Sequence, residues 1–191
     1  METVNYNELR KTLQKVLINV YNDNCANISN TWYKDSVSKM DKHIDWSLCV
    51  KMGAADFISE LNWKYWENKE IEEHKVFLKL ATLFKYIVSD VLCLHIANTP
   101  IEFEPDMLEE FSKHVLEESY VFSDGVISLL TRKSTHEYTN TDIIMMTTDL
   151  MRYRGTNMEE LHFLIDVFFV LLNAVNQVYG LSIDKLASLM K

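Results

Sequence analysis

The chain has 191 residues, a length that suits one domain, and 48% of them are hydrophobic, enough to bury a substantial core. Only four glycines and two prolines interrupt the sequence. All-β folds usually need more turn residues, so this low content favours long helices. The formal net charge of −9 argues against a protein that binds nucleic acid as a free chain, because neutralising phosphates requires Lys and Arg.

The cysteines and the apolar runs indicate in which cellular compartment the protein is expected. Cys25, Cys49 and Cys93 are an odd number, and no two have Cys-x-x-Cys spacing, so neither a disulfide framework nor a zinc site is expected. We therefore expect the protein to be located in the cytoplasm or another reducing intracellular compartment. The first residues contain no apolar signal core. The longest apolar stretch, residues 161–178, contains Asp166 and three amide side chains, which favours a buried helix over a membrane span.

Apolar residues recur at helical spacing along most of the chain, which predicts six or seven helices. Asp45 and Ser182 are expected to be N-caps, a fresh N-cap is expected at Asn157, and Gly180 is expected to be a C-cap. The polar residues 32–43 and 131–141 are expected to form loops, and residues 125–130 are a short apolar run. The predicted helices span residues 6–21, 45–66, 70–97, 107–121, 142–153, 158–179 and 182–191.

Two of these helices indicate how the chain packs. In the helix over residues 70–97, one apolar stripe predicts a buried face that contains Leu80, Phe84, Ile87 and Val91. The helix over residues 158–179 is apolar nearly all round and must be covered on every side. We expect one all-α domain over residues 1–191, a helical bundle in which residues 100–155 form an insertion or elaboration.

Residues 46–66 read WSLCVKMGAADFISELNWKYW, the most distinctive segment of the chain. This segment resembles the first signature of the dimeric, all-α dUTPases, relatives of the MazG-type NTP pyrophosphohydrolases. In that family a tryptophan-led helix carries Glu-x-x-Glu and ends in a segment like Trp-Lys-x-Trp. Trp32 precedes Trp46, with a loop between them whose length is similar to that in the family. The helix over residues 70–97 lies at the position of the family's second signature. Residues 155–191 resemble the late helix pair of the family.

The resemblance implies a metal site, but this chain departs from the family at its ligands. Two pairs of carboxylates on facing helices would hold Mg²⁺ with hard oxygen ligands, and the metals would activate a water for attack on a phosphorus. The alignment places Gly53 and Asp56 on the first pair, and Lys79 and Thr82 on the second. Only Asp56 is acidic, and the cation of Lys79 would repel a metal. We therefore expect no catalytic residue and no metal cofactor.

The resemblance also implies a remnant of the nucleotide-binding site, formed by Trp32, Trp46, Asp56, Trp63 and Lys64. Aromatic residues of this kind more often belong to the core, and Lys64 is equally consistent with a solvated lysine on an aromatic-rich face. Weak binding of a nucleotide is compatible with this set.

Two further groups have a structural and a functional interpretation. His162 and Asp166 lie one turn apart in an apolar helix, which predicts a buried hydrogen bond and disfavours a pair of metal ligands. Residues 143–146, which read IIMM, form an apolar patch near polar loops. This patch is expected to be core by default, and it is the first place to look for an interface.

These observations leave two hypotheses about function. The favoured one is a pseudoenzyme related to nucleotide metabolism, a dUTPase-like protein that acts by protein–protein interaction as an inhibitor, adaptor or structural subunit. It would form a homodimer or a complex with another protein through helical faces. The alternative is a divergent Mg²⁺-dependent (d)NTP pyrophosphohydrolase that uses Asp56 with Glu60, Asp90 or Asp166. Three carboxylates that converge would favour the enzyme, whereas Asp56 alone beside Lys79 would favour the binding protein.

Overall fold

A computed structural model of the chain describes residues 6–64, 66, 70–99, 102–118, 136–155 and 157–190. This described part is helical and contains no strand, so the predicted all-α class is confirmed. One isolated antiparallel bridge joins Val37 to His43. A turn of 3₁₀-helix over Pro105–Met107 precedes the fifth helix. The α-helices are α1 (Tyr6–Asn27), α2 (Trp32–Asp35), α3 (Trp46–Glu60), α4 (Glu73–Asn98), α5 (Leu108–Glu118), α6 (Asn140–Leu150), α7 (Met158–Tyr179) and α8 (Ile183–Ser188).

Four helices form the centre of the fold. α3 packs against α4 and α6, and α7 packs against the same two helices, so the four close into a bundle. α1 and α8 pack against α4 on the outside of this bundle, and α5 packs against α1. Within residues 100–155, α5 therefore lies against α1, while α6 is one of the bundle helices.

The predicted apolar stripe of α4 is buried in the core. Leu80, Phe84, Ile87 and Val91 are each at most 1% exposed. The ring of Phe84 stacks on Phe168 of α7 with the ring centroids 4.7 Å apart. This stacking joins two helices that are far apart in sequence, and it accounts for the large aromatic side chains at both positions.

The expected caps are confirmed. Asp45 accepts a hydrogen bond from the backbone N–H of Leu48, at 3.0 Å from its Oδ1. Ser182 caps α8 through its side chain in the same manner, and Asn157 caps α7. Gly180 ends α7 with a φ of +72°, in the left-handed region that favours glycine.

Two helix ends differ from the prediction because long-range contacts decide them. α1 continues to Asn27, six residues beyond the predicted end, since the buried Asn24 donates a hydrogen bond of 2.8 Å to Ser89 on α4. α3 ends at Glu60 and does not continue to residue 66. Leu61 adopts an extended conformation that puts its side chain in the core, where it is 1% exposed.

Other differences are local. The predicted loop over residues 32–43 contains the single turn α2, and α6 begins at Asn140 because Thr139 and Asp142 form a capping box in front of it. The end of the helix predicted for residues 107–121, the apolar run over residues 125–130 and residues 131–135 of the predicted loop lie outside the described residues.

α7 is the helix that sequence patterning described as apolar nearly all round. Its length and mean hydropathy of 1.6 would suffice for a membrane span, but half of that window is buried inside the protein, and a core helix meets the same criterion. Phe163 on its outer side is 54% exposed. The protein alone therefore leaves part of this helix uncovered, as the sequence suggested.

Candidate functional site

The candidate site lies where α3 and α4 face each other. Gly53 lies beside Tyr86, and three residues further along α3 Asp56 lies beside Lys79, so the two helices run antiparallel. This arrangement brings together the positions that the resemblance assigns to metal ligands.

Asp56 and Lys79 form an ion pair across this junction. The Nζ of Lys79 lies 3.1 Å from the Oδ2 of Asp56, and the two side chains are 38% and 58% exposed, respectively. An exposed pair of this kind stabilises a fold by at most about 1 kcal/mol. The pair matters for metal binding, because the ammonium group of Lys79 neutralises the carboxylate that would otherwise be a metal ligand.

Gly53 is buried at a position where a side chain would have little room. A Cβ added at Gly53 would lie 3.0 Å from Cδ2 of Tyr86 and 3.4 Å from the Cα of Leu83. The Tyr86 ring therefore crowds the Cβ of any larger residue at this position. A mid-helix glycine costs roughly 1 kcal/mol relative to alanine, and the close contact of α3 with Tyr86 gives it a packing role.

Tyr86 is the residue of this junction that the sequence argument missed. Burial raises the pKa of its hydroxyl, and the nearby Cys49 and Asp56 raise it further, while the charge of Lys79 lowers it. Tyr86 follows Lys79 by seven residues and Thr82 by four, a spacing that puts all three on one side of α4. That spacing is the signal from which its presence at the junction could have been inferred.

The junction does not fit a magnesium ion. Thr82 is exposed, and its hydroxyl donates a hydrogen bond of 3.0 Å to the carbonyl of Leu78. Asp56 is thus the only carboxylate at the four assigned positions, whereas Mg²⁺ needs several oxygen ligands in near-octahedral geometry. Within the described ranges, no three His, Cys, Asp or Glu side chains are grouped so that they could hold a metal ion.

Of the further carboxylates of the alternative hypothesis, Glu60 lies on α3 with Asp56, whereas Asp90 and Asp166 lie on other helices. Asp90 lies eleven residues beyond Lys79 on α4, about 16 Å along the helix axis. Glu60, the last residue of α3, lies one helical turn beyond Asp56. Asp166 is exposed on α7, so the predicted burial of a His162–Asp166 pair is wrong. Among the described residues, no three of these carboxylates are grouped so that they could hold a metal ion.

Asp90 has its own partner in the core. It is 6% exposed, and the hydroxyl of Tyr153 donates a hydrogen bond of 2.5 Å to its Oδ2. Burial raises the pKa of Asp90 to about 6, although the bond from Tyr153 lowers it, and the charge of Asp45 raises it further. The Asp90–Tyr153 bond ties the segment after α6 to α4.

The five residues of the expected nucleotide site lie at both ends of α3. Trp32 and Trp46, 0% and 6% exposed, pack edge to face with ring centroids 5.6 Å apart at the start of the helix. Trp63 is 43% exposed beyond the end of the helix, with the Nζ of Lys64 5.6 Å from its ring centroid. α3 has 15 residues, or about 22 Å. The structure therefore keeps the first two tryptophans in the core and does not bring the five residues together.

Neither a protein-family model nor a curated protein matches the chain. Conclusions about function therefore depend on the geometry of the α3–α4 junction and on the resemblance carried by residues 46–66.

Proposed function

We propose that this protein is a catalytically inactive dUTPase-like protein that acts by binding another protein. The observation that carries the proposal is the ion pair between Asp56 and Lys79, at the positions where the resemblance expects carboxylates around a metal. A cation in that place removes the main reason for Mg²⁺ to bind, and the metal would be needed to activate the attacking water.

Gly53 and Tyr86 support the same proposal. The Tyr86 ring would lie 3.0 Å from the Cβ of a ligand side chain at position 53, so restoring the first carboxylate pair would require this ring to shift. The bundle around the junction is nonetheless closed and well packed. A scaffold of this kind can keep its fold and its outer surfaces after the chemistry has been lost, because its core does not depend on the metal.

The alternative pyrophosphohydrolase would need further carboxylates beside Asp56. Of the candidates from the sequence, Glu60 lies one helical turn from Asp56, while Asp90 and Asp166 lie on other helices, and two neighbouring carboxylates give that hypothesis little support. A binding function requires no such convergence, and it accounts for apolar helix faces that remain exposed.

A hydrolysis assay tests the proposed loss of activity. We expect no turnover of dUTP or of other nucleoside triphosphates with Mg²⁺ or Mn²⁺, because the junction offers one carboxylate and one cation. Turnover that follows the metal concentration, is lost in Asp56→Ala and is kept in the control Asp106→Ala would contradict the proposal. Asp106 is a suitable control because it is exposed in the 3₁₀ turn, away from α3.

Affinity purification from the native source tests the binding function. We expect a partner protein in stoichiometric amount. Sedimentation of the purified chain alone then separates a hetero-complex from a homodimer, since either arrangement would cover exposed helical faces. A strictly monomeric chain with no recovered partner would return the enzyme hypothesis to first place.

A further inference from the structure

We draw no further inference here: the strongest candidate, the exposed apolar surface that Leu48 and Met52 of α3 and Met145 of α6 form on the outside of the bundle, carries no proposal, because nothing in the structure shows what covers it.

Discussion

Asp56 and Asp90 lie at opposite ends of the α3–α4 helix pair. The protein accommodates their negative charges in two different ways. Asp56 is exposed and is neutralised by the ammonium group of Lys79. Asp90 is buried, accepts a hydrogen bond from the Tyr153 hydroxyl, and holds a proton more tightly because burial raises its pKa to about 6. The negative charge of Asp56 is therefore compensated by a partner, whereas the charge of Asp90 depends on the pH.

The core between these two ends should give the largest effect. Phe84 lies between Lys79 and Asp90 on α4, is 1% exposed and stacks on Phe168. We expect Phe84→Ala to lower the free energy of unfolding by about 3–5 kcal/mol, because it removes a buried ring and leaves a cavity. Denaturant unfolding measures the change. An unchanged midpoint would show that the α4 stripe is not the one that holds the bundle together.

The pH dependence of stability should distinguish Asp90 from Asp56. Since the pKa of Asp90 is raised from 3.8 to about 6 in the folded protein, the folded state holds this proton more tightly than the unfolded chain does. Its contribution to stability is fully present below pH 3.8 and is lost as the pH rises through 6. The loss amounts to about 3 kcal/mol. Asp90→Asn, which can still accept the Tyr153 bond, should abolish it, as melting curves across this range would show.

His95 must be controlled for, because it titrates over the same range with the opposite sign. Burial lowers its pKa from 6.5 to about 4, and His162 and His114 lower it further. Its contribution is present above pH 6.5 and is lost as the pH falls through 4. The native chain should therefore show a shallow profile, and Asp90→Asn should lose stability on acidification. A steep loss with rising pH that persists in Asp90→Asn would rule out Asp90 as its source.

A double-mutant cycle tests the contact that replaces the first ligand position. Gly53→Ala should destabilise the protein by about 1–3 kcal/mol, since the new Cβ would lie 3.0 Å from the Tyr86 ring, closer than ordinary van der Waals contact. In the Tyr86→Ala background the same change should be neutral, or stabilising by about 1 kcal/mol, because alanine is the better helix former. Equal effects in both backgrounds would mean that Gly53 is not needed for the approach of Tyr86.

The features that could be predicted from the sequence are those that local interactions decide. Caps such as Asp45 and Ser182 need only the first turn of their own helix, and the α4 stripe follows from helical spacing. The pairing of Asp56 with Lys79 needed the resemblance, because 23 residues separate the two in sequence. Tyr86 and Tyr153 were missed because their partners lie on other elements, and no local pattern specifies which elements will touch.

The end of α3 shows the same limit for helix boundaries. The sequence pattern continues through Trp63, yet the helix ends at Glu60. Leu61 is buried in the core with an extended backbone. The side-chain amide of Asn140 also donates a hydrogen bond to the carbonyl of Asn62. Tertiary packing thus overrides a helical pattern that is favourable on its own.

The smallest effect on stability, and the most informative one for function, is expected at Lys79. Lys79→Met should change the free energy of unfolding by less than about 1 kcal/mol, because the pair with Asp56 is exposed. Lys79→Glu should be similarly small without metal, but it places a second carboxylate opposite Asp56. Millimolar Mg²⁺ should then raise the melting temperature of Lys79→Glu alone, because a ligand that binds only the folded state stabilises it. The native chain and Lys79→Met should not respond, and a response in either would mean that the lysine does not keep the metal away.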